Sequence, residues 1–450
     1  MTLSPLANVF HAVQAHAAHS DREEIGRLLR RYEALEAEGR VKGIWKQTEW
    51  VQSAKEGEEI GVVLDRSPFY GESGGQIGDR GVIESPRGHL EVIDTKWVGD
   101  LLVHSARVVQ GSVSVEEPVR AKVDAAHRLR VARSHTATHL VHWALRKVLG
   151  PETVQAGSLV DAERVRFDFS ALGALREEQR LSVEQLVNDR IRAADAVRVD
   201  EKTLEEAKQA GALALFGEKY GQKVRMVSIG DYSRELCGGT HLVHTGSIGS
   251  FQILSESAIA ARTRRLEILV GETAANRQQQ ESQLLRRVAE RFSRPPDEVL
   301  QGLEELVGQL KAAERKLTTA KLELAQMRAK QLLADAKQLK GVTVVTAQVD
   351  GADREFLAVL ADAARSALPG EGVICLVSGK APVSIVMATT AGLVKQHRLH
   401  AGEMMKAVAP LIQGSGGGRP DFAQGGGKDP AGIPAVFQRI NELIQGALER

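Results

Sequence analysis

The 450-residue sequence predicts an α+β chain built in successive parts: a β-rich N-terminal subdomain, an α/β core, a long helical, coiled-coil-like stalk and a small C-terminal α/β module. Three observations carry this expectation. Short apolar runs punctuated by glycine fill residues 41–124, helical and strand-like segments then alternate to about Gly271, and from Thr273 to Lys340 glycine and aromatic residues almost vanish. We place the parts at 1–40, 41–130, 131–271, 272–340 and 341–450, the first being an N-terminal helical segment, in a chain whose length suits about three domains.

Residues 21–39 read as an amphipathic helix, with Ile25, Leu28, Leu29, Tyr32 and Leu35 on one stripe and Gly39 placed to end it. From Val41 to about Asp124, runs such as EIGVVLD, GVIES, LEVIDTKWV and LLVHSARVV read as strands of a mostly antiparallel domain. Within it lies SPFYGESGGQIGD, residues 67–79, a glycine-dense loop. Gly74 and Gly75 allow a ligand close backbone approach, and Ser73 and Gln76 offer hydrogen-bonding side chains. A helix follows from His127, ended by Gly150 and Pro151. Next come a VRFDF strand, a SVEQLVNDRIRAA helix, a helical EEAKQAGALALFGEKYG, and KVRMVSI and SIGSFQIL strands, with CGGTH in a tight connection between the last two.

In the stalk, Val299, Leu303, Leu306, Leu310, Ala313, Leu317, Ala320, Leu324 and Met327 form a heptad seam, and Pro295-Pro296 breaks an earlier helix. An intramolecular antiparallel pair and a homodimer explain that seam equally well. From Gly341, VTVVTAQV, GVICLVSG and APVSIVMATT read as strands and REFLAVLADAARSAL as a helix. Residues 413–427, QGSGGGRPDFAQGGG, are too glycine-rich for a core element. Because they embed Arg419, Asp421, Phe422 and Gln424, they read as a shaped binding loop in preference to a flexible linker.

Composition narrows the function classes. No apolar run approaches the roughly 20 residues that cross a bilayer, and the first residues lack a basic segment followed by an uninterrupted apolar one. With two cysteines, Cys237 and Cys375, a disulfide framework is not supported, and the expectation is a cytoplasmic protein. A net charge of +1 is silent on nucleic acid. Locally, Arg128, Arg130 and Arg133 cluster, as do Arg262, Arg264 and Arg265, which suits either phosphate contacts or a solvated face.

Chemistry concentrates in RSHTATHL and LCGGTH, which pair His135 with His139 and Cys237 with His241 at the same four-residue spacing. On a helix, i and i+4 share a face, so His135 and His139 can grip one ion. A lone HxxxH also fits an ordinary helix with two half-buried histidines. The CxxxH pair about a hundred residues later, using one of only two cysteines, favours a metal site. A thiolate with imidazoles suits Zn²⁺ in tetrahedral coordination, one ion per chain.

Four motifs, SPFYGESGGQIGD, RSHTATHLVHWALRKVLG, ELCGGTHLVHTGSIG and GSGGGRPDFAQGGG, stand in order. Together they resemble the C-terminal half of bacterial alanyl-tRNA synthetase, its editing domain followed by its C-terminal dimerisation and tRNA-binding domain, and they are similar to long AlaX-type trans-editing proteins. The chain departs from that family at Ala258 and Arg262, where the family usually has glycine.

The resemblance implies a zinc-dependent hydrolase of tRNA(Ala) mischarged with serine or glycine. His135, His139, Cys237 and His241 would be the metal residues, and Cys237, His241 and Gln76 the catalytic ones. His241 serves either as a ligand or as a water-orienting base. Ser73, Gly74, Gly75, Gln76, Gly238, Gly239 and Thr240 would bind substrate, and Arg133, Arg264, Arg265, Lys395, Arg398 and Arg419 would contact tRNA. No ATP site is visible and only about forty residues precede Val41, so charging of tRNA is not expected. Two other readings are a subunit of alanine–tRNA ligase that needs a separate ATP-dependent chain, and a non-catalytic tRNA-binding or dimerising module with structural zinc.

Overall fold

A computed structural model describes residues 34–214, 221–397 and 399–449. Helices and strands are mixed, and the chain divides into two compact units at Leu285/Arg286.

The first unit opens with eight strands: β1 (Glu36–Lys46), β2 (Glu49–Val51), β3 (Ser53–Lys55), β4 (Glu59–Leu64), β5 (Gly81–Ser85), β6 (Gly88–Val98), β7 (Leu101–Ser114) and β8 (Pro118–Val123). Pairing runs β1-β4-β7-β6-β5-β8 and returns from β8 to β1, all antiparallel, so the sheet closes on itself and the six strands of that ring leave no free edge. Period-two patterning drives this. In β8, Val119, Ala121 and Val123 are buried while Pro118, Arg120 and Lys122 between them are exposed. These join Val41, Ile44, Ile60, Val62, Ile83, Leu90 and Val108 in the barrel core.

The helix expected over residues 21–39 lies mostly outside the described residues, and its last part is corrected. Glu36–Arg40 pair residue for residue with Lys122–Pro118. The partner strand decides the conformation of a segment whose own pattern reads as helical.

Helix α1 (Ala125–Leu149) follows the barrel, with the Asp124 carboxylate accepting the His127 N–H at 3.0 Å. Gly150, at φ 123°, ends it. Helix α2 (Glu177–Ala193) packs beside it. Leu140, Val141, Ala144, Leu145, Val183, Val187 and Ile191 from the two helices meet Phe167, Phe169, Phe251 and Ile268 from a four-stranded sheet. That sheet is ordered β14-β15-β10-β9, from β9 (Gln155–Val160), β10 (Arg164–Ser170), β14 (Phe251–Ala260) and β15 (Thr263–Val270). At the β14–β15 turn, Arg262 holds φ 62°, the left-handed region in which the family's usual glycine would rest at lower cost.

A three-stranded sheet, β11 (Val197–Thr203), β12 (Lys223–Ile229) and β13 (Ser233–Leu236), completes the unit with the short helix α3 (Leu204–Gln209). The expected helix from Glu205 is thus short, and the LFGEKY stretch at 215–220 lies outside the described residues. Strand β13 was not expected from sequence; it is an edge strand that delivers the CGGTH turn. Helix α4 (Glu272–Phe292) spans the division between the units.

In the second unit, α5 (Val299–Ala334) is a 36-residue helix. Along the predicted seam Leu303, Leu306, Leu310, Leu317, Leu324 and Met327 are exposed, while Ala325 and Ala329 are buried against α6 (Arg354–Ser366). A six-stranded mixed sheet is ordered β16-β17-β18-β19-β21-β20. Its strands are β16 (Lys337–Leu339), β17 (Val342–Val349), β18 (Gly372–Ser378), β19 (Val383–Thr389), β20 (Ser415–Gly418) and β21 (Phe422–Gly427). Every residue of β18 is buried because both faces are covered. Ile374 and Leu376 face α6, whereas Val373, Cys375 and Val377 join residues of α8 (Ala401–Val408) and α9 (Ile433–Leu448). Helix α7 (Ala391–His397) contributes Leu393 to that second face.

The glycine-rich stretch is neither linker nor loop but the hairpin β20–β21 within this sheet. A Cβ on Gly425 would lie 2.5 Å from Met405 Sδ, and one on Gly402 would lie 2.4 Å from the Gly418 carbonyl oxygen. Glycine is there so that α8 can approach the strands closely, a packing demand that composition alone did not reveal.

Candidate metal centre

Helix α1 sets His135 and His139 one turn apart with their rings parallel, centroids 5.4 Å apart and 1° between planes. Thr136, between them, donates its hydroxyl to the Ala132 carbonyl at 2.8 Å and accepts the Leu242 N–H at 3.1 Å, tying the CGGTH segment to the helix. From the other side, β13 runs into Cys237. Cys237 Sγ lies 3.2 Å from His135 Nε2 and 3.4 Å from His241 Nε2. One donor atom each from His135, His139, Cys237 and His241 falls within 4.8 Å of all the others.

Second nitrogens of two rings are held. His135 Nδ1–H donates to Gln76 Oε1 at 2.6 Å and His139 Nδ1–H to Glu235 Oε2 at 2.7 Å, which leaves each Nε2 lone pair for the cluster. Gln76 Oε1 also accepts the Thr240 N–H at 2.9 Å and the Thr240 hydroxyl at 3.3 Å, so one amide oxygen joins the 67–79 loop, α1 and the CGGTH turn. His139 Nε2 and His241 Nδ1 are buried without a hydrogen-bond partner. The orphaned His139 Nε2 beside a thiolate fits a Zn²⁺ ion better than a closed hydrogen-bonded core, whereas His241 Nδ1 is the nitrogen of its ring that does not meet the thiolate.

At Cys237 and His241 electrostatics agree with a ligand role, whereas the Glu235–His139 pair favours a proton on the His139 ring that an ion would have to displace. Burial alone would raise the Cys237 thiol, but the neighbouring His135 and His241 imidazoles outweigh it and hold the thiol well below its usual range. Burial likewise opposes charge on Glu235 and His139. Their mutual attraction wins, taking Glu235 down to about 2 and His139 up to about 10. Burial dominates at His241 and pushes it down to about 3, leaving a neutral imidazole.

Glycine at 239 is forced by packing, since a Cβ there would lie 2.0 Å from His135 Cε1. At Gly238, which is exposed, a Cβ would meet nothing within 4 Å. Arg225 Nη1 donates to both glycine carbonyls, at 3.0 and 2.5 Å. In the 67–79 loop, Gly74 and Gly75 hold φ 55° and 80°, Ser73 and Gly74 are exposed, and Gln76 is fully buried. The loop is anchored by a buried ion pair. Arg128 Nε lies 2.9 Å from Asp79, and Arg128 Nη2 donates to Asp79 Oδ2 and, at 2.9 Å, to the Pro68 carbonyl.

The basic residues expected at tRNA are variously engaged. Arg264 pairs with Glu256, Arg265 pairs with Asp168 through two bonds of 2.7 and 2.9 Å, and Arg133 donates to the Ser247 carbonyl. Lys395 is exposed on α7, and Arg419 is exposed at the tip of the β20–β21 hairpin, 3.6 Å from Asp421. Arg398 lies outside the described residues. Sequence reasoning missed Glu235, His142 and the Asp79–Arg128 pair. A signal existed for His142 alone, because three residues after His139 on the predicted helix is the same face. Among the described residues, no helix is long and apolar enough to cross a membrane.

Comparisons with known proteins agree on one family. Residues 7–127 match the family described as tRNA synthetases class II (A), residues 224–267 the threonyl and alanyl tRNA synthetase second additional domain, and residues 341–446 the DHHA1 domain. The alanine–tRNA ligase of Acetivibrio thermocellus is 42% identical over 93% of this chain and 47% of its own length. That of Geobacillus kaustophilus is 43% identical over 92% of this chain and 47% of its own. This chain therefore spans about half the length of these curated relatives. A solved C-Ala domain from the Aquifex aeolicus alanyl-tRNA synthetase aligns with 24% of this chain and 97% of its own, at 26% identity and a TM-score of 0.23.

Proposed function

Because the chain belongs to the alanyl-tRNA synthetase family, matching about half of those proteins' length, we propose that it hydrolyses the ester of tRNA(Ala) mischarged with serine or glycine. The observation that carries this is the cluster of His135, His139, Cys237 and His241, with two of the rings oriented by Gln76 and Glu235. These four residues would hold one Zn²⁺. When bound, the ion supplies Lewis acidity that polarises an ester carbonyl or orients the attacking water. Four protein donors would close a tetrahedron, whereas hydrolysis needs an open position, so His241 is the donor assigned to yield and act as base.

The need for such a site is physical. A pocket shaped for alanine discriminates weakly against glycine, which is smaller, and serine, which adds one hydroxyl. Here the buried Gln76 Nε2, which has no partner, is the donor left for a substrate hydroxyl, and exposed Ser73, Gly74 and Gly238 would let the substrate approach. Thr240 and Gly239 hold Gln76 and His135 in place. Exposed Lys395 and Arg419, together with Arg133, Arg264, Arg265 and Arg398, would contact tRNA phosphates, and the exposed leucine stripe on α5 would pair two copies.

Release of serine from Ser-tRNA(Ala) by the purified chain, before and after zinc chelation, tests the reading with Ala-tRNA(Ala) as the control. Zinc-dependent loss of serine with alanine spared is expected. Tight tRNA binding without hydrolysis would overturn it in favour of a binding module.

A further inference from the structure

Glu235 is 2% exposed and lies on β13, two residues before Cys237, so its side chain emerges on the same face as the thiolate. Its two oxygens are used separately. Oε2 receives His139 Nδ1 at 2.7 Å and Oε1 receives His142 Nδ1 at 3.0 Å. His139 and His142 are three residues apart on α1 and so share a face, and both are buried. His142 stands outside the donor cluster. Its ring centroid is 5.9 Å from that of Phe167, in the core beneath the helix.

A carboxylate bound by one imidazole can still turn about its last bond. Bound by two, it has one orientation. We infer that Glu235 is a positioning residue for the metal centre, fixing the tautomer and plane of His139 while His142 serves as the fixed post that locks Glu235. The inference rests on the zinc reading of the cluster. It differs from a merely structural ion pair in one respect: the loss on breaking it falls on the ion, not only on the fold. Orienting partners of metal-bound histidines typically change metal affinity about 10- to 100-fold when removed.

The test uses the full chain and zinc itself, with dissociation constants from chelator competition and the visible spectrum of the Co²⁺-substituted protein as the second readout. Glu235→Gln keeps the shape of the side chain, and zinc should bind roughly 10- to 100-fold more weakly with an altered cobalt spectrum. His142→Phe should weaken zinc by a smaller factor, and should add nothing in the Glu235→Gln background if it acts through Glu235. A folded Glu235→Gln protein with wild-type zinc affinity and cobalt spectrum overturns the inference, as do additive effects of the two substitutions. Should Glu235→Gln fail to fold, His142→Phe decides alone, an unchanged affinity and spectrum overturning the role. A wild-type chain that binds no zinc would overturn the metal reading itself.

Discussion

Replacing Gln76 with methionine removes one amide from a fully buried position while nearly conserving volume, and its effect can be worked out bond by bond. His135 Nδ1–H and the Thr240 N–H lose the oxygen they share, at 2.6 and 2.9 Å. Each buried donor left unpaired costs roughly 1–3 kcal/mol. Against that, Gln76 Nε2 is already buried without a partner, and its removal returns a similar amount. The net loss should be about 1–3 kcal/mol, which lowers Tm by roughly 2–12 °C for a unit of this size. The larger effect falls on function. With its tautomer no longer fixed, His135 should hold zinc about 10- to 100-fold more weakly, and discrimination between Ser-tRNA(Ala) and Ala-tRNA(Ala) should collapse with the loss of Nε2. Thermal unfolding, chelator competition and parallel deacylation of the two substrates measure the three effects. A Gln76→Met protein with wild-type zinc affinity and wild-type discrimination would refute the reasoning, whatever its Tm.

Cys237→Ala should abolish zinc binding and deacylation while leaving tRNA affinity near normal in a filter-binding assay; near-normal hydrolysis would sink the zinc mechanism. Gly239→Ala should displace His135, because its Cβ would sit 2.0 Å from Cε1, and zinc stoichiometry should fall well below one per chain. Asp79→Ala strands the buried Arg128 guanidinium and should cost on the order of 3–5 kcal/mol in urea unfolding, with a loss below about 1 kcal/mol counting against the anchoring role. His104 is fully buried between the Ser67 hydroxyl and the Val62 carbonyl, and burial lowers it to about 4. Folding therefore favours the neutral ring. Its contribution is complete above the unfolded value near 6.5 and is lost as pH falls toward 4, by roughly 3 kcal/mol. His104→Gln should flatten that acid limb, and an unchanged limb would show that other groups set it.

The donor set was legible because a helix turns imposed spacing into geometry: i and i+4 meet whatever surrounds them, and the second pair named the partner. Glu235 was not legible, being one of 58 acidic residues, because its meaning depends on β13, four residues too short to stand out. The strands of the barrel were readable from alternation, yet Glu36–Gly39 were not, since their conformation is set by β8 about eighty positions away. The glycines of residues 414–427 read by composition as a shaped binding loop, whereas Gly416 and Gly425 are there because the Met405 side chain of a neighbouring helix lies against them. The arginine clusters were open to two readings for a related cause. Charge is visible in a sequence, but the Asp79, Asp168 and Glu256 carboxylates that neutralise Arg128, Arg265 and Arg264 are distant in the chain or hidden among other acids.

The donors also lie far apart in the order of synthesis. His135 and His139 are made first, and about a hundred residues separate them from Cys237 and His241. Until that stretch is translated, the nascent chain offers two imidazoles and no thiolate, a weak nitrogen grip open to nickel, copper or cobalt as readily as to zinc. Completion of the CGGTH turn adds the sulfur and closes the cluster against β13. If the four residues hold zinc, the order in which the ribosome delivers these segments would open a window for the wrong ion, and a slow passage through residues 140–236 would widen it.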